Sequence, residues 1–248
     1  MRDRTLAWDG CLNVRDLGGH TTEDGFLTRF GAVVRADSIR QLSDAGWAAL
    51  AHYGVGRIVD LRFHDELEAD PPREVPAEVV HVPVFPDPAT GAWAEIDALS
   101  AAAPDHATAT RDVYLTLLRL VPEGFAAAVE AVADAPEGAV VIHCTAGKDR
   151  TGLVTALLLR LAGVSVADVA ADYALSAAYL RERARPWVEE AETEEELRRR
   201  ERIIATPAEA MVGVLEELRR RFGGVAGYLR EGGADDEMLE RARARLRG

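Results

Sequence analysis

The stretch Ala139-Val140-Val141-Ile142-His143-Cys144-Thr145-Ala146-Gly147-Lys148-Asp149-Arg150-Thr151-Gly152-Leu153 decides how this chain is read. Its first five residues form an apolar run without alternation, the pattern of a central parallel strand covered on both faces. A tight loop follows, and from Thr151 onward the pattern is helical. A strand, loop and helix N-terminus in succession aim backbone N–H groups at one point. With the helix dipole they bind an anion of phosphate size. Gly147 lets the loop curl without a Cβ obstruction, and Arg150 offers a planar fork of donors to two oxygens of one group.

In that field the thiol of Cys144 is expected to ionise easily, because helix N-termini and nearby cations lower a cysteine pKa from about 8.5 to roughly 3.5–7.5. A thiolate facing a bound phosphoryl group is a nucleophile. The expected reaction is in-line attack on phosphorus, giving a phosphocysteine that water hydrolyses, with no metal or other cofactor. The leaving oxygen needs a proton. Asp149 within the loop is the favoured donor; Asp60, at the end of the strand Arg57 to Arg62, and Asp87, Asp105 and Asp112, in or beside a mobile segment, are the other candidates. Thr145, Ala146, Gly147, Lys148, Thr151 and Asp60 are the expected substrate contacts. A free buried cysteine is often inert, but the motif in its strand-loop-helix context argues against that here.

The same letters exclude two neighbours. A nucleotide-binding P-loop needs glycine five positions before Gly-Lys and Ser or Thr after it, where Ile142 and Asp149 stand. Zinc ligation by His143 and Cys144 lacks a second pair at ligand spacing, and His143 is expected to hydrogen-bond the loop from behind. Lys148 is the single lysine among 29 basic residues. An ammonium inside an anion loop suits a second phosphate, as on a phosphoinositide.

Working outward, 248 residues with 48% hydrophobic and 29% charged side chains can bury a core and are too apolar for disorder. One α/β domain over residues 1–248 is expected, with a helical lid insertion at about 87–118 and extra C-terminal helices at about 207–248. The 29 Lys+Arg against 42 Asp+Glu give a net charge of −13, which repels nucleic acid and anionic membranes. The apolar run from Gly152 to Val164 contains Arg160 and falls short of the roughly 20 residues of a membrane span. Two cysteines, Cys11 and Cys144, make no disulfide framework; Cys11 is read as structural. A cytoplasmic location is expected, with leaderless export left open.

Before the loop, residues 19–35 read as a hairpin around Asp24-Gly25 leading into a strand at Ala32 to Arg35, and Ser43 as the cap of a helix to Tyr53. Val79 to Val84 reads as another strand, and Arg111 to Leu120 and Glu123 to Ala133 as helices. After the loop, helices continue nearly to the end, broken near Gly163, Thr206-Pro207, Gly223-Gly224 and Gly232-Gly233. Residues 181–202 read as a solvated helix laced with Glu/Arg pairs.

His143 to Arg150 matches the Cys-x5-Arg signature of protein tyrosine and dual-specificity phosphatases, and His-Cys-x-Ala-Gly-Lys-Asp-Arg-Thr-Gly resembles the bacterial tyrosine/serine phosphatase family. Asn13-Val14-Arg15-Asp16-Leu17-Gly18-Gly19 is similar to that family's N-terminal Asn-Phe-Arg-Asp-Leu-Gly-Gly, and Ile58-Val59-Asp60-Leu61-Arg62 with Glu66 is a third element. The resemblance implies a protein-tyrosine-phosphatase-like, mostly parallel sheet flanked by helices. It also implies Cys144 as nucleophile, Arg150 as phosphate binder, Asp149 as acid within the loop, and a helical lid. It implies activity on phosphotyrosine and leaves phosphoserine, phosphothreonine and phosphoinositides open. Val14 departs from the aromatic of the N-terminal motif, and no motif covers the helices after about residue 200. Asn13, Arg15 and Asp16 read as ties of a turn to the sheet rather than substrate contacts.

The partner expected is a phosphorylated protein, phospholipid or small phosphoester. The alternatives are a catalytically silent phosphoryl-binding module and a phosphatase of a small metabolite. Sulfur transfer and arsenate reduction rank below these, since the first usually sets its arginine one residue closer and the second needs a resolving cysteine.

Overall fold

A computed structural model describes residues 3–70, 74, 75 and 77–247. In chain order the first half holds β1 (Arg15–Asp16), β2 (Val33–Ala36), α1 (Asp44–His52), β3 (Val55–Asp60), α2 (His64–Ala69), β4 (Glu78–His81), α3 (Ala92–Ala102) and α4 (His106–Leu120). The second half holds α5 (Pro122–Ala133), β5 (Ala139–His143), α6 (Arg150–Leu161), α7 (Val166–Glu189), α8 (Glu194–Ile204), α9 (Ala208–Phe222), α10 (Val225–Glu231) and α11 (Asp236–Arg247). The described strands form one five-stranded sheet in the order β1-β2-β5-β3-β4. Only β1 runs antiparallel, so β2, β5, β3 and β4 point their carboxyl ends at the same edge.

The unbroken apolar run of β5 has the cause expected of it. Val140 and Ile142 enter one core, with Phe125, Val129, Leu153, Leu157 and Leu158; Ala139 and Val141 enter the other, with Trp8, Leu50, Val55 and Ile58. Alternate residues of a strand face opposite sides, and here both sides are covered. Each Leu, Val or Phe buried so contributes roughly 1.5–3 kcal/mol. Helix α6 is buried from Arg150 to Leu159 and lies in the middle of the larger core. The C-terminal α9, α10 and α11 pack on α4, α5 and α6 through Met211, Leu218, Tyr228 and Leu239.

Side-chain caps start the helices where the sequence has Ser, Thr or Asp: Ser43 accepts from Gly46 N, Asp105 from Thr108 N and Ser165 from Asp168 N. The expected hairpin at Asp24-Gly25 closes with a bridge between Thr21 and Leu27. Some boundaries differ from expectation: the helix read from Arg111 starts at His106, and the strand read as Arg57 to Arg62 is Val55–Asp60. The strand read as Val79 to Val84 ends at His81, because Pro83 has no N–H for the ladder. The run 181–202 is two helices, α7 and α8, because the Thr193 side chain accepts from Glu196 N and starts a new helix; the Glu/Arg pairs Glu194–Arg198 and Glu196–Arg200 are present as expected. In the segment 87–118, α4 buries Ala109, Tyr114, Leu117 and Leu118 and belongs to the packed body, whereas α3 buries only Ile96. None of the described helices is long and apolar enough to cross a membrane.

Candidate active site

The carboxyl edge of the sheet gathers the loops after β2, β3, β4 and β5, the place where open parallel sheets bind ligands. After β5 the chain turns through Cys144 to Asp149 and enters α6 at Arg150. Gly147 sits at φ +67°, and a Cβ there would lie 2.5 Å from the Ala36 carbonyl oxygen and 2.6 Å from Asp37 N. Both conformation and space therefore demand glycine.

The outside of the loop is tied to other segments through its carbonyls. Ser38 N donates to Thr145 O (3.0 Å). Asn13 Nδ2 donates to Ala146 O (3.2 Å) and Gly147 O (3.0 Å), and Arg35 Nη2 donates to Gly147 O (2.6 Å). Across a planar trans peptide the N–H opposes the C=O, so carbonyls held outside turn the amides that follow them toward the inside of the loop.

Those ties rest on a buried ionic cluster. Asp172 of α7 accepts from Arg15 Nε (3.0 Å), Arg35 Nη1 (2.8 Å) and Arg4 Nη1 (2.9 Å), and Arg15 Nη1 donates to Asn13 Oδ1 (2.5 Å). Burial opposes the Asp172 charge, but Arg15 and Arg35 outweigh it and hold its pKa far below the carboxylate range. Asn13 and Arg15 thus do more than tie a turn: they brace the loop. Asp16 does serve the turn, accepting from Gly18 N (2.7 Å) and Gly31 N (2.8 Å).

Inside the loop, Cys144 is 2% exposed and Thr151 Oγ1 donates to its Sγ at 3.2 Å. The guanidinium of Arg150 lies over the Phe63 ring (4.7 Å to the centroid) and near that of Phe85 (5.8 Å). It donates to both carboxylate oxygens of Glu66 and to Thr145 Oγ1 (3.2 Å). Burial works against the charge of Arg150, yet Cys144, Glu66 and Asp149 raise its pKa above the ordinary value. Burial likewise pushes Glu66 up, but Arg150, Thr145 and the Phe63 amide bring its carboxyl down to about 2.

Asp149 is half-buried, and its Oδ1 accepts from Lys148 Nζ (2.6 Å) and from Tyr114 OH (2.6 Å). The Tyr114 oxygen in turn lies 2.8 Å from Tyr173 OH. Burial would raise the Asp149 pKa; Lys148, Tyr114 and Arg150 together lower it. The side chain of Lys148 is only 11% exposed, so the single lysine is an inward member of the site rather than a surface charge.

Other expected members are placed elsewhere. Asp60 is 2% exposed and its two oxygens accept from Arg62 Nε (3.0 Å) and Nη2 (2.8 Å), while His143 Nε2 lies 3.6 Å away. With both oxygens committed to Arg62, it is a buried brace behind the loop. His143 Nδ1 reaches Cys144 O at 3.3 Å, the support from behind that its position suggested, and burial lowers its pKa. Asp87 caps a turn at Ala89 N, Asp105 caps α4, and Asp112 pairs with Arg111, so the three alternative acids carry local structural bonds. Cys11 donates to Ser38 O, and burial raises its thiol pKa.

Sequence reasoning missed Tyr114, Tyr173, Arg35 and Asp172, and noted Glu66 only as part of a motif. For Glu66 a signal exists, since its carboxylate also accepts from Phe63 N (2.8 Å) at the start of α2, a helix-start pattern readable from spacing. Phe63, Phe85 and Trp93 form a ring cluster beside Arg150, with centroids 6.0–6.4 Å apart.

Comparison with known proteins agrees with this geometry. The chain is 31% identical over 227 residues to a tyrosine-protein phosphatase of Nostoc commune, covering 87% of this chain and 74% of the relative. It is 28% identical over 277 aligned positions to the triple specificity protein phosphatase PtpB of Mycobacterium tuberculosis, covering 96% and 98%. The model of the tyrosine phosphatase family matches residues 6–248. A match of that extent, over a chain whose Cys144-to-Arg150 loop is braced from three sides, makes this protein a phosphatase that belongs to the tyrosine phosphatase family.

Proposed function

We propose that this phosphatase hydrolyses phosphomonoesters through a phosphocysteine and needs no metal. Cys144 Sγ attacks phosphorus in line, the S–P bond forming as the ester P–O bond breaks. Asp149 gives its proton to the leaving oxygen. Water then attacks phosphorus, the S–P bond breaks, and Asp149 takes up the proton that water loses. Arg150 and the inward amides of the loop from Thr145 to Lys148 hold the equatorial oxygens, where charge develops. An arriving phosphoryl dianion opposes the ionised state of Asp149 and so favours the protonated acid.

The substrate class proposed is phosphotyrosine first. The rings of Phe63, Phe85 and Trp93 beside Arg150 support an aromatic ester. Lys148, inside the site, is suited to a second phosphate and extends the proposal to phosphoinositides; the relative PtpB is named for triple specificity.

The observation that carries the mechanism is the hydrogen bond from Thr151 Oγ1 to Cys144 Sγ. A hydroxyl hydrogen aimed at sulfur is placed to stabilise the anion and, later, the departing thiolate. Replacing Cys144→Ser should abolish turnover of phosphotyrosine peptide while leaving phosphate-analogue binding intact. Hydrolysis at the unmodified rate in that variant would overturn the proposal.

A further inference from the structure

Tyr114 comes from α4 and Tyr173 from α7, and the two side chains meet beside the start of α6. Both rings are buried, edge to face at 6.0 Å. Tyr173 reaches the loop because Gly152 gives it room: a Cβ there would stand 3.1 Å from the ring. Two phenols in a core need hydrogen-bond partners, and these find each other and Asp149. An ionised carboxylate only accepts, so the one hydroxyl hydrogen of Tyr114 points to Asp149 Oδ1. The contact between the phenols is therefore donated by Tyr173. The chain runs Tyr173 to Tyr114 to Asp149 Oδ1.

We infer that Tyr114 and Tyr173 are positioning residues that keep Asp149 Oδ1 an acceptor, so that the transferable proton resides on Oδ2. This rests on the proposed role of Asp149 as the acid. Lys148 shares Oδ1 but sits on a flexible stem and can turn to a phosphoryl oxygen once substrate is bound. The phenol bond is the one that stays, because both rings are locked in the core. In the first step Oδ2–H passes its proton to the leaving oxygen as the P–O bond breaks. In the second, Oδ2 receives the proton of the attacking water as the S–P bond breaks. Oδ1 remains bonded to Tyr114 throughout.

The charged and titratable groups around Asp149 are Lys148 in the loop, Arg150 on α6, Tyr114 on α4 and Tyr173 on α7, with Arg35 of β2 acting on Tyr173. Burial, and then the Asp149 charge, raises the pKa of Tyr114; burial foremost raises that of Tyr173, so both stay protonated donors. Loss of the Tyr114 donor leaves the carboxylate less stabilised and moves the Asp149 pKa up.

The test compares Tyr114→Phe, Tyr173→Phe and Asp149→Asn on phenyl phosphate, whose leaving group needs a proton, and on 2,4-dinitrophenyl phosphate, whose leaving group does not. Tyr114→Phe should lower kcat on phenyl phosphate by about tenfold, the weight of one hydrogen bond to a charged group, with KM little changed and the dinitrophenyl ester nearly unaffected. The alkaline limb of kcat/KM should move up by about one pH unit. Tyr173→Phe should act in the same direction and more weakly. Equal losses on both esters, or an unmoved limb, would reduce the tyrosines to packing and overturn the inference. If Asp149→Asn separates the two esters while the tyrosine variants do not, only the relay fails. If Asp149→Asn does not separate them, the acid assignment fails with it.

Discussion

Glu66 and Arg150, 84 residues apart in the chain, meet as a two-oxygen ion pair on top of the Phe63 ring, with Arg150 Nη2 3.1 Å from Glu66 Oε1. The guanidinium proposed to clamp a phosphoryl group is thereby held in plane by Glu66 and Phe63. Such preorganisation lowers what binding must order.

Glu66→Gln keeps the shape and removes the charge, so Arg150 loses its fixed plane. A misplaced clamp is expected to lower kcat/KM by about 10²-fold, with the melting temperature nearly unchanged because the Glu66 carboxylate is only partly buried. Steady-state kinetics on a phosphotyrosine peptide checks this, and a loss smaller than threefold would reject it as a brace, by the scale of a single orienting contact.

Asp172→Asn strands Arg15, Arg35 and Arg4 around a neutral amide. Removing one partner of a buried ion cluster costs about 3–5 kcal/mol, and the strut from Arg35 and Asn13 to the loop carbonyls loosens with it. Urea denaturation should show the loss in stability, and residual folded enzyme should turn over slowly. A variant as stable as the parent would mean that the arginines find other partners.

His20 lies beside Arg4 and Asp172, and burial, then Arg4, lowers its pKa to about 4. An unfolded histidine titrates near 6.5. Between those values the unfolded chain binds a proton that the native one does not, so stability is full above about pH 6.5 and falls as pH drops toward 4. Thermal melts should decline over that window, and His20→Gln should flatten the decline. An identical slope in the variant would assign it to other groups.

Vanadate, which mimics a phosphoryl group in transit, should compete with substrate, and EDTA should leave the rate unchanged. Inhibition curves with each reagent at fixed substrate decide the matter; loss of activity with the chelator would point to metal-assisted hydrolysis instead.

The loop from Cys144 to Arg150 was legible because everything that shapes it locally is contiguous: the apolar run that makes β5, the glycine that a φ of +67° requires, and the arginine that opens α6. Lys148 and Asp149 were legible for the same reason. The pairing of Glu66 with Arg150, of Tyr114 with Asp149 and of Arg15 with Asp172 was not, since the partners lie 84, 35 and 157 residues apart. At Asp60 the letters show a carboxylate at the end of a strand, and only the fold shows Arg62, two residues on, turned back onto it.

By itself the sequence determined which strand is central, where the loop between it and the next helix sits, and which sulfur, guanidinium and carboxylate belong to that loop, because those depend on covalent order and local backbone preference. Only the tertiary structure decided what surrounds each of them: Glu66 on Arg150, Tyr114 on Asp149, and Asn13 and Arg35 on the loop carbonyls. Those choices follow from how α2, α4 and the N-terminal segment pack over one sheet edge, a property of burial and close packing that no spacing of letters expresses.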